Sequence, residues 1–331
     1  MRTTRIDVPG YEEVFRLEDP DGFVALHRTR PGPAFGGTRM RDYASIEAAL
    51  ADALRLAEAM TRKYAINALP FGGGKAVIMR QSIRDRREAL HGLGDFVESL
   101  GGRFITGSDL GVSTQDVAIL QSRTRHVECE DGSEASAQSV LWAMRGALGA
   151  LRGRETLTGV RIGIQGLGAL GYRLAELCVR EKAEVVAGDI DRDRSSKAER
   201  DLSVRVVPAD EVLFLPADIL APCAVGGVVE RQTIRSLRCS IVCGGANNIL
   251  DDDSTADLLH EAGIAYVPDF LSNSGAAIEG AWTRLRGPAD CSAEIRAVRA
   301  SVVDLLERAR GRHCPPLRVA LEDIASRIPK V

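Results

Sequence analysis

Short apolar runs separated by turn residues characterise the first third of the chain. The runs GFVALHR (22–28), KAVIM (75–79) and RFIT (103–106) have the length and composition of strands. Between the first two, apolar residues from Ile46 to Tyr64 recur at helical spacing, and Ser45 is placed to cap the helix N-terminus. We therefore expect strands of one sheet and an amphipathic helix.

From about Gly132 the pattern changes to alternating strands and helices. The strand-like runs are VRIGIQ, AEVVAGD, ADILAP, SIVCGG and IAYVPD. This alternation predicts a parallel, doubly wound sheet. The polar, turn-prone stretch EDGSEAS (130–136) marks a boundary, so we predict one domain at 1–132, a second at 133–290, and C-terminal helices at 291–331 that pack back between the two domains.

Composition narrows the class of protein. A chain of 331 residues exceeds the size at which one core keeps growing, and 45% hydrophobic with 27% charged residues is ordinary for globular proteins. The net charge of -3, with both signs mixed along the chain, predicts no nucleic-acid surface.

Because the sequence has neither an apolar run of bilayer length nor a secretory signal, we expect a cytoplasmic protein with small-molecule partners and no membrane association. The seven cysteines form no CxxC pair and the histidines are dispersed, so no metal site is expected.

A glycine fingerprint follows the strand VRIGIQ directly. Gly166 would allow the tight turn, Gly168 the approach of a pyrophosphate, and Gly171 close packing of helix on strand. Asp189 ends the next strand, 23 residues after Gly166, where an acid accepts hydrogen bonds from ribose hydroxyls. This favours NAD, although an arginine of the run Asp191-Arg192-Asp193-Arg194 could pair with the 2′-phosphate of NADP. A glycine-rich turn also occurs in other α/β proteins.

Three glycines precede Lys75. A phosphate-binding P-loop is excluded because Leu69 and Ala76 stand where glycine and a hydroxyl residue are required. Glycines just before a strand indicate close approach of a ligand or of backbone, although a solvent-facing lysine beside a flexible turn is the plain alternative. Lys63 lies 12 residues earlier, where it could simply complement a helix dipole. If both amines meet in a closed cleft, each lowers the pKa of the other.

Several separated motifs together resemble one family, the Glu/Leu/Phe/Val dehydrogenases, and within it the leucine, valine and phenylalanine branch. The matching segments are GPAFGGTRM (32–40), MTRK (60–63), GGGKAVI (72–78), TGSD (106–109), APCA (221–224), ANN (246–248) and PDF (268–270). The resemblance implies an N-terminal α/β substrate and oligomerisation domain followed by a Rossmann-type dinucleotide-binding domain. It also implies a homo-oligomer.

The resemblance further implies a reaction and residue roles. The reaction is reversible, NAD-dependent oxidative deamination of an apolar L-amino acid, aromatic or branched-chain, to the 2-oxo acid and ammonia. Lys75 would be the general base and Asp109 the proton shuttle. The substrate-binding residues would be Lys63 and Asn273 at the carboxylate, with Gly36, Gly37 and Gly107 lining the pocket. The cofactor-binding residues would be Ser136, Gly166, Gly168, Ala169, Leu170, Gly171, Asp189, Ile190, Ala246 and Asn248.

The sequence departs from the family pattern at three places. They are Glu134-Ala135-Ser136-Ala137, Ala169-Leu170 and Asn273-Ser274-Gly275-Ala276. All three are expected on the cofactor side of the site. They leave open a dinucleotide-binding sensor or biosynthetic partner with weakened turnover, and a glutamate dehydrogenase is a second alternative.

Overall fold

The computed structural model describes residues 1–128 and 132–328. The chain forms two compact units. The first comprises Met1–Asp131 together with Ile324–Val331, and the second comprises Gly132–Asp323. In the part of the chain that is described, no helix is long and apolar enough to cross a membrane.

The first unit is built on a mixed sheet. Its strands are β1 (Arg2–Ile6), β2 (Glu13–Glu18), β3 (Gly22–Leu26), β4 (Ala34–Phe35), β5 (Thr38–Arg41), β6 (Gly72–Met79) and β7 (Phe104–Ile105). Its helices are α1 (Ile46–Ile66), α2 (Arg86–Ser99) and α3 (Thr114–Gln121). The strand order is β1-β2-β3-β6-β4-β7, with β5 paired to β6. Strand β3 runs antiparallel to β6, whereas β4 and β5 run parallel to it.

The three predicted strands and the predicted helix are confirmed in this unit. The strands correspond to β3, β6 and β7 of one sheet. Helix α1 is capped by Ser45, whose side chain accepts a hydrogen bond from the Ala48 amide at 3.2 Å. One expectation was wrong: the three glycines are not a turn before the strand but the first three residues of β6, because the strand starts at Gly72 and is buried throughout.

Strand β6 is buried because both of its faces are covered. Ala76 and Ile78 belong to one hydrophobic cluster, and Val77 and Met79 belong to another that includes alanines of α1. Gly73 lies on the α1 face, where a Cβ atom would stand 2.3 Å from the Ala57 carbonyl oxygen. The close approach inferred from the glycines is therefore made by backbone, and glycine is required for it.

The second unit is a doubly wound sheet, as predicted. Its strands are β8 (Arg161–Gln165), β9 (Glu184–Gly188), β10 (Arg205–Val206), β11 (Ile219–Pro222), β12 (Ile241–Val242) and β13 (Ala265–Tyr266). Its helices are α4 (Ser133–Arg152), α5 (Ala169–Arg180), α6 (Arg192–Leu202), α7 (Thr255–Glu261), α8 (Asp269–Ser272), α9 (Gly275–Arg286) and α10 (Ser292–Gly311), and the final helix is α11 (Pro316–Arg327). The order β10-β9-β8-β11-β12-β13 is parallel throughout and reverses direction between β8 and β11. In such sheets ligands bind at the carboxyl ends of the strands beside this reversal.

The C-terminal segment differs from expectation. Helix α10 belongs to the second unit, where it packs along α4, and the chain returns to the first unit only at Ile324. The pairing is tight because Gly146 has no side chain: a Cβ atom there would lie 2.6 Å from the Arg299 carbonyl oxygen. Sequence alone did not reveal this partner for α10. The boundary predicted near 132 adjoins residues 129–131, which lie outside the described residues, as does Cys129.

We predict that Gly73→Ala destabilises the protein by about 3 kcal/mol, since overpacking against rigid backbone typically costs about 1–3 kcal/mol or more. Gly311→Ala is the control, because a Cβ atom at this helical position meets nothing within 4 Å. Thermal and urea unfolding of both variants measure the difference. Equal unfolding midpoints for Gly73→Ala and the parent protein would contradict the close packing of α1 on β6.

Candidate active site

Lys75 and Asp109 form a buried ion pair in the first unit. Lys75 lies on the face of β6 that α1 covers and is only 5% exposed. Its Nζ is 2.5 Å from Oδ2 of Asp109, which follows β7. Sheet and helix thus remove the amine from water and leave a carboxylate as its partner, the arrangement expected of a lysine whose protonation state matters for chemistry.

Arg39 extends this pair into a network that the sequence analysis did not find. Its Nε donates to Asp109 and its Nη1 to Asp52 of α1, both at 3.1 Å. The Tyr43 hydroxyl also donates to Asp52, at 2.7 Å. Arg39 directly follows the Gly-Gly-Thr motif, and its pairing with Val77 in the sheet places it on the same face as Lys75.

The network shifts the pKa values of both catalytic candidates. Burial lowers the pKa of Lys75 below its ordinary value; Asp109 opposes this shift and the Arg39 charge adds to it. Burial of Asp109 opposes ionisation, but Lys75 and Arg39 hold the pKa of its carboxyl well below its usual range. Arg39 thus places a permanent positive charge beside the pair.

The glycines before β5 are required by close packing around this pair. A Cβ atom at Gly36 would lie 1.9 Å from the Gly74 carbonyl oxygen, and one at Gly37 would lie 2.5 Å from the Ser108 carbonyl oxygen. Gly107 differs, because its nearest neighbour would be the Glu128 carbonyl oxygen at 3.3 Å. A small side chain therefore fits at Gly107 after a slight adjustment, but not at Gly36 or Gly37.

Lys63 lies in the last turn of α1 and is 8% exposed, so both predicted amines are buried on facing elements of one unit. The next residue, Tyr64, packs against Phe35 and Phe71 with ring centroids 5.7 and 5.6 Å away. An aromatic cluster thus stands beside the Lys63 backbone.

The three fingerprint glycines of the second unit have different surroundings. Gly166 adopts a positive φ of 96°, and a Cβ atom there would lie 2.6 Å from that of Ala224. A Cβ atom at Gly171 would lie 2.0 Å from the Gly166 carbonyl oxygen, so glycine permits the helix to approach the loop. At Gly168 a Cβ atom meets only Arg194 Nη1, at 3.8 Å, which leaves room for a pyrophosphate at the start of α5.

Asp189 follows β9 and is fixed by backbone. Its carboxylate accepts from the Leu167 amide at 2.6 Å and from the Asp191 amide at 2.8 Å. Arg194 lies 3.8 Å from Asp189 and 3.4 Å from Asp191. The intervening Ile190 is 95% exposed, so it offers an apolar surface next to this acid.

Three buried side-chain oxygens near the carboxyl edge of this sheet have no hydrogen-bond partner within the described residues. They belong to Gln165, Asn248 and Asn273. The Asn273 amide nitrogen donates to the carbonyl oxygens of Gly245 and Ala246 at 3.0 and 3.1 Å, which fixes Oδ1 as its unpaired atom. Such orphaned acceptors fit a ligand that carries N–H or O–H donors, as a dinucleotide does. The expectation that Asn273 holds a carboxylate is not supported, because its donors are already used.

The departures from the family pattern lie in segments that contact one another. Ser136 accepts from the Ala276 amide at 3.3 Å, and a Cβ atom at Gly275 would stand 1.9 Å from the Ala135 carbonyl oxygen. Glu134 pairs with Arg173, which ties α4 to α5. Of the other two cofactor positions at the helix start, Ala169 is exposed and Leu170 is half-buried.

Comparisons with known proteins agree with this arrangement. The family model "Glu/Leu/Phe/Val dehydrogenase, dimerisation domain" matches residues 2–126, and "Glutamate/Leucine/Phenylalanine/Valine dehydrogenase" matches residues 188–281. Phenylalanine dehydrogenase of Lysinibacillus sphaericus is 38% identical over 85% of this chain and 78% of its own length. Leucine dehydrogenase of Thermoactinomyces intermedius is 35% identical over 81% and 77%. The crystal structure of L-tryptophan dehydrogenase from Nostoc punctiforme superposes with a TM-score of 0.80 at 31% identity, covering 96% of each chain.

Because the two family models match residues 2–126 and 188–281, and the two dehydrogenase relatives are 38% and 35% identical over most of the sequence, the chain belongs to the Glu/Leu/Phe/Val dehydrogenase family.

Proposed function

We propose that this protein is an NAD-dependent L-amino acid dehydrogenase that reversibly deaminates an apolar amino acid, aromatic or branched-chain, to the 2-oxo acid and ammonia. The observation that carries the proposal is the buried Lys75–Asp109 pair, with Lys63 buried in the same unit. Relatives named as phenylalanine, leucine and tryptophan dehydrogenases support an apolar substrate.

The bound dinucleotide supplies the hydride acceptor for the Cα hydrogen. The protein then handles protons. Neutral Lys75 takes a proton from the water that adds to the iminium carbon, and the burial that lowers its pKa favours the neutral amine. Asp109 touches the Lys75 amine and passes the proton onward as ammonia leaves.

Substrate binding uses the same unit. Lys63 would pair with the substrate carboxylate, assisted by the backbone of Gly36 and Gly37. The packing at Gly107 allows this position to tune pocket size, and Phe35 would occupy part of that space. In the second unit, Asn273 offers an oxygen acceptor, so we assign it to an N–H donor of the substrate or of the nicotinamide amide instead of to the carboxylate.

NAD is the proposed cofactor, in preference to NADP. The Asp189 carboxylate is held by two backbone amides and would repel a 2′-phosphate. Arg194 has both Asp189 and Asp191 beside it, so its charge is already compensated. The proposed cofactor residues are those named from the sequence: Ser136, Gly166, Gly168, Ala169, Leu170, Gly171, Asp189, Ile190, Ala246 and Asn248.

Self-association through the N-terminal unit is part of the proposal. The family model that matches residues 2–126 is described as a dimerisation domain. The protein is therefore proposed to work as a homo-oligomer.

The decisive experiment is NADH oxidation with ammonia and a panel of apolar 2-oxo acids. We expect turnover with at least one of them, and Lys75→Ala should lower kcat by about 10²–10⁴-fold, the usual contribution of a general base. NADH affinity should be unchanged, because Lys75 lies in the other unit. Lys197→Ala, an exposed lysine paired with Asp201, is the matched control. NADH binding without turnover across the panel would favour a sensor, and activity confined to 2-oxoglutarate would indicate a glutamate dehydrogenase.

The glycine loop makes a second prediction. Gly168→Ala should weaken NADH binding about 10-fold or more while the unfolding temperature stays unchanged, because its Cβ meets ligand space and no backbone. Gly171→Ala should lower the unfolding temperature, because its Cβ collides with the Gly166 carbonyl oxygen at 2.0 Å. Calorimetric titration and thermal unfolding separate the two effects. Full NADH affinity in Gly168→Ala would place the nucleotide elsewhere.

Substrate size gives a third prediction. Gly107→Ala should reduce kcat/KM for an aromatic 2-oxo acid relative to a branched-chain one by about 10–200-fold, the range for one methyl group in a fitted pocket. Stability should change little, because the new Cβ meets the Glu128 carbonyl oxygen at 3.3 Å. An unchanged ratio of the two kcat/KM values would remove Gly107 from the pocket.

A further inference from the structure

The pair Lys75–Asp109 is half of a buried group of four charges. The other half is Arg39 and Asp52, with side chains 12% and 11% exposed. With all four ionised, two cations balance two carboxylates. When Lys75 gives up its proton, one cation remains for two carboxylates, so the position of that cation decides whether Asp109 keeps a positive partner.

Arg39 is placed to be that cation. Its Nε contacts the same Asp109 oxygen, Oδ2, that contacts Lys75 Nζ, at 3.1 and 2.5 Å respectively. A guanidinium stays protonated across the pH range in which the enzyme works, whereas a buried amine can lose its proton. Asp109 therefore keeps one positive partner whichever state Lys75 adopts.

Asp52 holds Arg39 from the opposite side. It accepts from Arg39 Nη1 at 3.1 Å, from the Tyr43 hydroxyl at 2.7 Å and from Arg55 at 2.8 Å. Two carboxylates, one from α1 and one from the loop after β7, thus fix the guanidinium through separate nitrogens. A planar fork of this kind restricts rotation far more than a single contact does.

We propose that Arg39 is a positioning residue for the reaction: it holds Asp109 against Lys75 and serves as the partner of that carboxylate when Lys75 is neutral. This role rests on the proposed function, in which Lys75 acts as a base. Asp52 and Tyr43 set the orientation of Arg39 and do not touch the reacting groups.

Each charge near Lys75 shifts its pKa in the direction that its sign predicts. Among the described elements that pair with β6, strands β3 and β4 carry no ionisable side chain, and β5 carries Arg39 and Arg41. The charged residues of helix α1 are Glu47, Asp52, Arg55, Glu58, Arg62 and Lys63, of which Asp52 contacts Arg39. Burial has the largest effect and lowers the pKa of Lys75. Asp109 and Asp52 raise this pKa, and Arg39 lowers it.

These signs predict opposite shifts for two variants. Arg39→Gln removes the positive charge, so the acidic limb of the kcat/KM profile should move to higher pH by about one unit or more. Asp52→Asn removes a negative charge yet keeps an acceptor for Tyr43, so the limb should move to lower pH. Arg39→Lys retains the charge and should return the limb towards its wild-type position, with kcat still reduced because the fork is lost.

A second readout does not require turnover. The chain contains five lysines, Lys63, Lys75, Lys182, Lys197 and Lys330. Carbon-13 labelling of lysine therefore gives few side-chain signals, and the signal missing in Lys75→Ala identifies Lys75. Its titration midpoint should rise in Arg39→Gln and fall in Asp52→Asn. Arg123→Gln, which removes an equal charge from an exposed pair with Asp95, should leave the midpoint unchanged.

The results distinguish a failure of the role proposed for Arg39 from a failure of the proposed function. Opposite shifts of the Lys75 midpoint support the role of Arg39 even if wild-type enzyme turns over none of the amino acids, a result that would defeat the proposed function alone. Shifts of the same sign, or none, overturn the role of Arg39 while turnover stands. Should Arg39→Gln fail to fold, a downward shift in Asp52→Asn with a near-wild-type midpoint in Arg39→Lys supports the role, and any other combination overturns it.

Discussion

The organisation of the first unit depends on one desolvated contact, the 2.5 Å approach of the Lys75 amine to Asp109 beneath a helix. An isolated buried ammonium is too costly to persist, so burial requires either loss of the proton or a carboxylate close by. The fold provides the nearby carboxylate, Asp109, and burial of Lys75 also favours loss of its proton. Gly73 lets α1 close over β6, which keeps water from the amine, while the Gly36–Gly37 loop packs close enough to Gly74 and Ser108 to define the surrounding space.

The second unit also depends on glycines, at three positions between β8 and the first turn of α5. Gly166 permits a left-handed backbone, Gly171 permits contact between loop and helix, and a Cβ atom at Gly168 would have only the end of the Arg194 side chain within 4 Å. Gly166 and Gly171 therefore serve the fold, whereas the packing does not require glycine at position 168. Asp189, anchored to the amide of Leu167 in the loop itself, ties the shape of the loop to the end of β9.

The sequence predicted what is local. Strand and helix periodicity located β3, β6, α1 and the parallel sheet, and spacing located the glycine-rich turn between β8 and α5, because each depends on neighbours a few residues apart. Arg39, Asp52 and Tyr43 escaped because their network joins β5, α1 and the loop after β7, and no local pattern records such contacts. The partner of helix α10 was not predicted, for the same reason. The amphipathic pattern of a helix shows that one of its faces is covered, but the identity of the partner, α4, follows only from packing at Gly146.

The three unpaired oxygens of Gln165, Asn248 and Asn273 affect the free energy of unfolding. A buried acceptor without a donor costs about 1–3 kcal/mol. A ligand that satisfies them recovers this free energy, so occupancy and resistance to unfolding rise together.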